Sequence, residues 1–74
     1  MVDVVEQREE AQTQARALLQ NSPIGELRDL RIECDDDYLQ ISGRVCSFYH
    51  KQLAQETVRR VAAGRQVLNA VDVD

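Results

Sequence analysis

The sequence predicts a single small α+β domain with the element order helix, strand, strand, helix, strand. Three observations predict it. Apolar residues recur at helical spacing over residues 3–20. Two short segments on either side of an aspartate-rich turn alternate apolar and polar residues in matching phase, and a capped helical segment then leads into a last alternating segment. A hairpin followed by a strand–helix–strand crossover gives a three-stranded mixed sheet, covered on one face by two helices.

Length and composition limit the chain to one domain over residues 1–74, with the first helix in residues 1–20 and a ββαβ unit in residues 29–73. A hydrophobic content of 43% with 30% charged residues is typical of a globular chain. The sequence has no Trp, and its aromatic residues are Tyr38, Phe48 and Tyr49. The core is therefore expected to be aliphatic.

Charge is distributed unevenly along the chain. The net charge is −4, made up of −6 over residues 1–37 and +2 over residues 38–74. An acidic chain is repelled by phosphate backbones and anionic lipid, so we expect no nucleic-acid partner. No apolar run reaches the roughly 20 residues of a membrane span. The acidic start is unlike a secretory signal, so the chain is expected to be cytoplasmic unless an export segment was removed, and its two cysteines to be free thiols.

The first helix is predicted from one apolar stripe with a 3.6-residue period. Good helix formers fill the other positions, and acidic residues near the N-terminal end suit the helix dipole. Asn21-Ser22-Pro23 should end the helix, and the segment through Gly25 is expected to be a loop. The stripe consists of Val4, Val5, Ala11, Ala15, Leu18 and Leu19.

The hairpin is predicted from two alternating segments around residues 35–37, three aspartates that favour a turn. If residues 36–37 form the tip, Cys34 faces Leu39 and Ile32 faces Ile41, which places the apolar residues of both strands on one face. Gly43 continues that face inside the second strand. A glycine there indicates close approach of another backbone or a helix, or a bulge.

The second helix should begin after Ser47, whose hydroxyl can cap it, and end at Gly64, which suits a left-handed conformation. Residues 65–74 alternate and predict the last strand, with Val67, Val71 and Val73 on one face. Asn69 shares that face, so its amide is expected to bond to backbone groups.

From residue 18 onward, about three quarters of the chain, the sequence resembles the BON family (the bacterial osmotically inducible and nodulation domain). The residues that carry the resemblance are the strand LQISGRV (39–45), the cap and helix start SFYHKQLA (47–54) and the closing VLNAVDV (67–73). Pro23 and the Leu30-x-Ile32 pair fall where the family has its short loop and first strand.

The resemblance implies an αββαβ domain without enzymatic activity, of a family described as binding phospholipid or other envelope components. The expected function is a small binding or interaction module that acts through protein–protein contact or self-association. The alternative is a peripheral phospholipid-binding module. The single copy and the acidic charge favour the first.

A metal site, a cofactor and a catalytic centre are not expected. Cys46 and His50 lie four residues apart, and Cys34 is the remaining thiol, but Cys34 and Cys46 have opposite strand parity and should point to different faces. His50 as a general base lacks a nucleophile and a conspicuous carboxylate partner in the sequence, since Glu56 lies six residues on.

Two surfaces are candidates for binding, and a solvated mixed-charge surface is the simpler reading of both. A ligand or lipid contact would use aromatic and basic residues around the second helix, namely Phe48, Tyr49, Lys51, Arg59 and Arg44. A homodimer interface would use the uncovered face of the sheet, with Tyr38, Gln40, Leu68 and Ala70.

Overall fold

A computed structural model describes the backbone of residues 4–74 and the side chains from residue 8 onward. Its elements are α1 (Val4–Gln20), α2 (Gly25–Arg28), β1 (Arg31–Cys34), β2 (Tyr38–Val45), α3 (Phe48–Arg59) and β3 (Gln66–Val73). Strand β2 is central, antiparallel to β1 and parallel to β3. Helices α1 and α3 pack against the sheet. The predicted fold class is confirmed.

Helix α1 packs its apolar stripe onto the sheet as the sequence predicts. Ala11, Ala15 and Leu19 are buried and Leu18 is half-buried. The side chains of Val4 and Val5, and the helix start predicted at residue 3, lie outside the described residues. The Gln12 amide donates to the Ile32 carbonyl at 3.1 Å, which ties α1 to the edge of β1.

The hairpin has the predicted register. Ile32 pairs with Ile41 and Cys34 with Leu39. The Asp35 N–H donates to the Tyr38 carbonyl at 2.8 Å, so residues 36–37 form the tip. The Asp35 carboxylate accepts the Asp36 N–H at 2.7 Å, which is the local bond that favours aspartate in turns.

The core lies between the sheet and the helices, and its members among residues 8–74 are all aliphatic. Burying one such side chain is worth about 1.5–3 kcal/mol relative to leaving it in water. Burial of this core is therefore the main favourable contribution that opposes the conformational entropy lost on folding. Its fully buried large members come from every helix and from both long strands: Leu19, Leu27, Leu39, Ile41, Val45, Val58 and Val71.

Gly43 in β2 permits the close approach that the sequence predicts. Its φ is +132°, and a Cβ placed there would lie 2.7 Å from Leu30 Cδ2 and 3.5 Å from Leu30 Cα. Leu30 is 8% exposed and immediately precedes β1. The missing side chain of Gly43 thus provides the space into which Leu30 packs, at a backbone angle that other residues rarely adopt.

Asn69 on β3 makes the backbone bonds expected of a polar residue on the valine face. Its amide nitrogen donates to the Lys51 carbonyl in α3 at 2.8 Å, and its oxygen accepts the Val71 N–H at 3.2 Å. One side chain therefore fixes β3 against α3 and satisfies an amide of its own strand.

Within residues 4–74, the helices differ from the sequence prediction at α2 and at the end of α3. Helix α2 occupies residues that periodicity does not assign, because one turn with a single buried residue, Leu27, is too short to show a period. Helix α3 ends at Arg59, not at Gly64. The chain tightens there through N–H bonds from Val61 and Ala62 to carbonyls three residues back, and Gly64 follows at φ +83°.

Replacing Gly43 with alanine should lower the free energy of unfolding by about 1–3 kcal/mol. The new Cβ would overlap Leu30, and alanine rarely adopts the φ of this position. Thermal unfolding should show a melting temperature lower by about 4–8 °C for each kcal/mol. Gly25→Ala is the matched control, since nothing lies within 4 Å of a Cβ there. Equal melting temperatures for the two variants would contradict the packing role of Gly43.

Candidate functional site

The candidate site lies at the end of the domain where the parallel strands β2 and β3 finish. Among the described residues, this end brings together a carboxylate, a thiol and an imidazole, and it carries the exposed aromatic side chains. Val45 of β2 and Val73 of β3 are partners in the register, and the Asp74 N–H donates to the Val45 carbonyl at 3.0 Å. The chain leaves β2 at Cys46 and enters α3 at Phe48. Residues 46–50, here the turn segment, therefore lie at the carboxyl edge of the sheet.

Ser47 caps α3 as the sequence predicts. It has extended backbone angles, φ −149° and ψ 152°, and its hydroxyl accepts the His50 N–H at 3.1 Å. This bond satisfies one of the free amides of the first helical turn. It also fixes His50 in the first turn of the helix, on the side that faces α2.

Glu26 of α2 reaches the turn segment and contacts two of its residues. One carboxylate oxygen accepts the Cys46 backbone N–H at 2.9 Å, and the other contacts Nδ1 of His50. The carboxylate, the Cys46 sulfur and the His50 ring nitrogen offer ligand atoms that all lie within 4.8 Å of one another. We call Glu26, Cys46 and His50 the Glu26 cluster.

The cluster is open to solvent on one side. The side chains of His50 and Glu26 are 25% and 31% exposed, and Cys46 is exposed. The pKa of Glu26 lies below its ordinary value of 4.5, first because the Cys46 side chain hydrogen-bonds to its carboxylate and then because His50 does. The same carboxylate raises the pKa of the Cys46 thiol above its ordinary value of 9.0, because a nearby negative charge disfavours the thiolate.

The expectation that His50 lacks a carboxylate partner is wrong. The partner is Glu26, 24 residues earlier in the chain. Nothing in the sequence marks this residue, because helix α2 that positions it shows no periodicity. Glu26 stands beside Leu27, which is 1% exposed and holds α2 in the core, so the position of the carboxylate follows from that burial.

Only some of the residues predicted to form a ligand or lipid contact lie close together. Phe48 and Tyr49 are 75% and 66% exposed, and within residues 8–74 they are the large hydrophobic residues that stay exposed. Lys51 is half-buried at the same helix start. Arg44 lies nearby but is paired with Asp74 at 3.5 Å. Arg59 lies at the far end of α3, about 12 Å along the helix axis from Lys51.

The predicted interface residues share the uncovered face of the sheet. Gln40 pairs with Leu68, and Tyr38 lies two residues before Gln40 on β2, on the same face of the sheet. Tyr38, Gln40 and Leu68 are half-buried and Ala70 is exposed. The face is therefore mostly polar, with Leu68 as its main apolar side chain.

The two cysteines are both free and lie far apart. Cys34 pairs with Leu39 near one end of β2, whereas Cys46 follows the other end. The intervening strand residues separate them by about 20 Å at the rise of an extended chain. The thiols cannot meet, so Cys34 contributes nothing to the Glu26 cluster.

The geometry defines a small α+β domain with an aromatic helix start beside a carboxylate–thiol–imidazole cluster. Comparison with models of known protein families finds no match for this chain, and comparison with curated proteins finds none either. Within residues 4–74, no helix combines the length and the apolar character needed to cross a bilayer.

Replacing Glu26 with glutamine should raise the alkylation rate of Cys46 by iodoacetamide at pH 8 severalfold, because the carboxylate that disfavours the thiolate is removed. The rate is measured by mass spectrometry in a Cys34→Ser background, where Cys46 is the single thiol. Glu33→Gln, at an exposed position on β1, is the charge-matched control and should leave the rate unchanged. The same rate in both variants would contradict the Glu26–Cys46 interaction.

The lowered pKa of Glu26 makes its contribution to stability depend on pH. A carboxyl group whose pKa is lower in the folded state contributes fully above its unfolded value, here 4.5, and loses that contribution as the pH falls through the folded value. Urea midpoints should therefore be higher for the native chain than for Glu26→Gln at pH 7, and the gap should narrow below pH 4.5. A gap that is constant from pH 7 to pH 3 would contradict this assignment.

Proposed function

We propose that this chain is a small non-enzymatic interaction module of the BON type that acts through protein–protein contact, with a second copy of the chain as its partner. The observation that carries the proposal is the exposure of two adjacent aromatic side chains, Phe48 at 75% and Tyr49 at 66%. We call these two residues the aromatic pair.

Exposure of the aromatic pair is costly for so small a domain. The chain has three aromatic residues, and two of them contribute nothing to its core. Buried aromatic area is worth roughly 25 cal/mol per Å², and each such ring offers about 150–250 Å². Aromatic side chains are also among the residues that contribute most to protein–protein binding. A contact that covers the aromatic pair recovers this free energy.

Charge around the aromatic pair favours a protein surface over an anionic lipid surface. Lys51 supplies one positive charge, Arg44 is paired with Asp74, and Glu26 adds a negative charge close by. Each basic residue near an anionic membrane is worth about 1 kcal/mol, so a patch of nearly zero net charge gains little. A mixed-charge rim around an apolar centre is the usual arrangement of a protein interface.

A second copy fits this surface because a two-fold axis brings the same patch of each molecule together. Two aromatic pairs would then bury each other, and Lys51 of each copy could approach the Glu26 or Asp74 carboxylate of the other. The uncovered sheet face with Tyr38, Leu68 and Ala70 offers less apolar area, so the aromatic end supports self-association better.

Peripheral phospholipid binding is the second candidate, and it rests on Lys51 lying in the first turn of α3 with the aromatic pair. Interfacial helices commonly place aromatic rings and lysines in this way.

The cytoplasmic location expected from the acidic first segment stays a prediction, which cell fractionation tests.

Replacing the aromatic pair by serine should abolish self-association, because the apolar centre of the contact is lost. Light scattering across micromolar to millimolar concentrations should show the native mass rising towards that of a dimer and the Phe48→Ser/Tyr49→Ser variant staying monomeric. Tyr38→Ser/Leu68→Ser, on the uncovered sheet face, is the matched control and should still associate.

A native chain that stays monomeric throughout would refute self-association through the aromatic pair.

Sedimentation with anionic liposomes tests the second candidate, phospholipid binding. Binding that salt weakens and the Phe48→Ser/Tyr49→Ser variant loses would assign the aromatic pair to phospholipid instead.

A further inference from the structure

The Glu26 cluster brings together one carboxylate oxygen, one sulfur and one imidazole nitrogen. These are the three donor types that Zn²⁺ accepts in proteins. The sequence alone does not predict a metal site, because Cys34, the remaining thiol, has the opposite strand parity from Cys46 and should point to the other face. Glu26 supplies the third ligand from an element that the sequence does not predict.

The spacing of the three ligand atoms is close to what a zinc ion requires. With bonds of about 2.0–2.3 Å, a tetrahedral Zn²⁺ holds its ligand atoms about 3.3–3.8 Å apart. The cluster atoms lie within 4.8 Å of one another, and the Glu26 carboxylate already contacts His50 Nδ1. An ion shared by all three donors would therefore require their side chains to rotate.

We propose that Glu26, Cys46 and His50 form a three-ligand Zn²⁺ site whose fourth position is open to water. The ion would replace the hydrogen bonds within the cluster. The Cys46 thiol proton leaves to solvent as the sulfur binds, and the carboxylate–imidazole contact opens to admit the ion. The exposure of Cys46 provides the entry path and the open fourth position.

The ligands are held by the backbone independently of any ion. The Cys46 N–H fixes one Glu26 oxygen at 2.9 Å, the Ser47 hydroxyl holds the His50 N–H at 3.1 Å, and buried Leu27 anchors α2. Such bonds around a site keep ligands in place before the metal arrives. Because Glu26 belongs to α2 and the other two ligands to the turn segment, zinc would link α2 to the start of α3.

Cobalt(II) titration of the full chain tests the site, because cobalt takes the same ligands as zinc and is coloured. The chain is stripped with a chelator and kept reduced with a phosphine. We expect one cobalt per chain, a near-ultraviolet thiolate-to-cobalt band, and loss of that band when zinc displaces the cobalt. Melting temperature should rise with added zinc, since an ion that binds only the folded state stabilises it.

Variants assign the ligands. Cys46→Ser should lose the thiolate band, and Glu26→Gln and His50→Gln should each weaken cobalt binding at least tenfold. Cys34→Ser and Glu33→Gln, which alter residues of the same types outside the cluster, should bind as the native chain does. Circular dichroism verifies that each variant is folded.

A native chain that shows no thiolate band at equimolar micromolar cobalt would overturn the proposal. Cobalt binding that survives Cys46→Ser, or that is lost in Cys34→Ser, would overturn it as well. Both measurements are made on the monomer or the dimer alike, so a failure here is distinguishable from a failure of self-association.

Discussion

The register between β1 and β2 is the constraint on which the rest of the domain depends. Pairing Ile32 with Ile41 places the apolar side chains of both strands on the face that α1 and α3 cover. A slip of one residue would turn Leu39, Ile41 and Val45 to the uncovered face, because side chains alternate along a strand. The hairpin tip at residues 36–37 excludes that slip, since the Asp35 N–H bonds to the Tyr38 carbonyl.

Most of the fold follows from local rules that the sequence displays. The alternation of both hairpin strands, the Ser47 cap and the backbone bonds of Asn69 are each decided by neighbouring residues, and each was predictable. The end of α3 was not, because whether Val61 and Ala62 continue a helix depends on how the chain must turn to enter β3. Tertiary geometry overrides local helical spacing at that point.

One part of the candidate site is likewise predictable from the sequence, and the other part is not. The aromatic pair is predictable as an exposed feature, since Phe48 and Tyr49 precede the apolar stripe of α3 and immediately follow its cap. The Glu26 cluster is not, because its members meet only after α2 packs Leu27 into the core and carries its neighbouring carboxylate across to the turn segment. A contact across 24 residues, made by a single helical turn, leaves no periodic trace in the sequence.

The parallel pairing of β2 with β3 also sets the order in which the sheet can assemble. The hairpin closes over a two-residue tip, whereas every β2–β3 pair must bridge the whole of α3. Because closing a longer loop costs more entropy, we expect the hairpin to form first and β3 to dock last, once α3 is in place. On the ribosome β3 also emerges after the hairpin and α3, so a nascent chain would expose the unpaired edge of β2 until β3 has emerged.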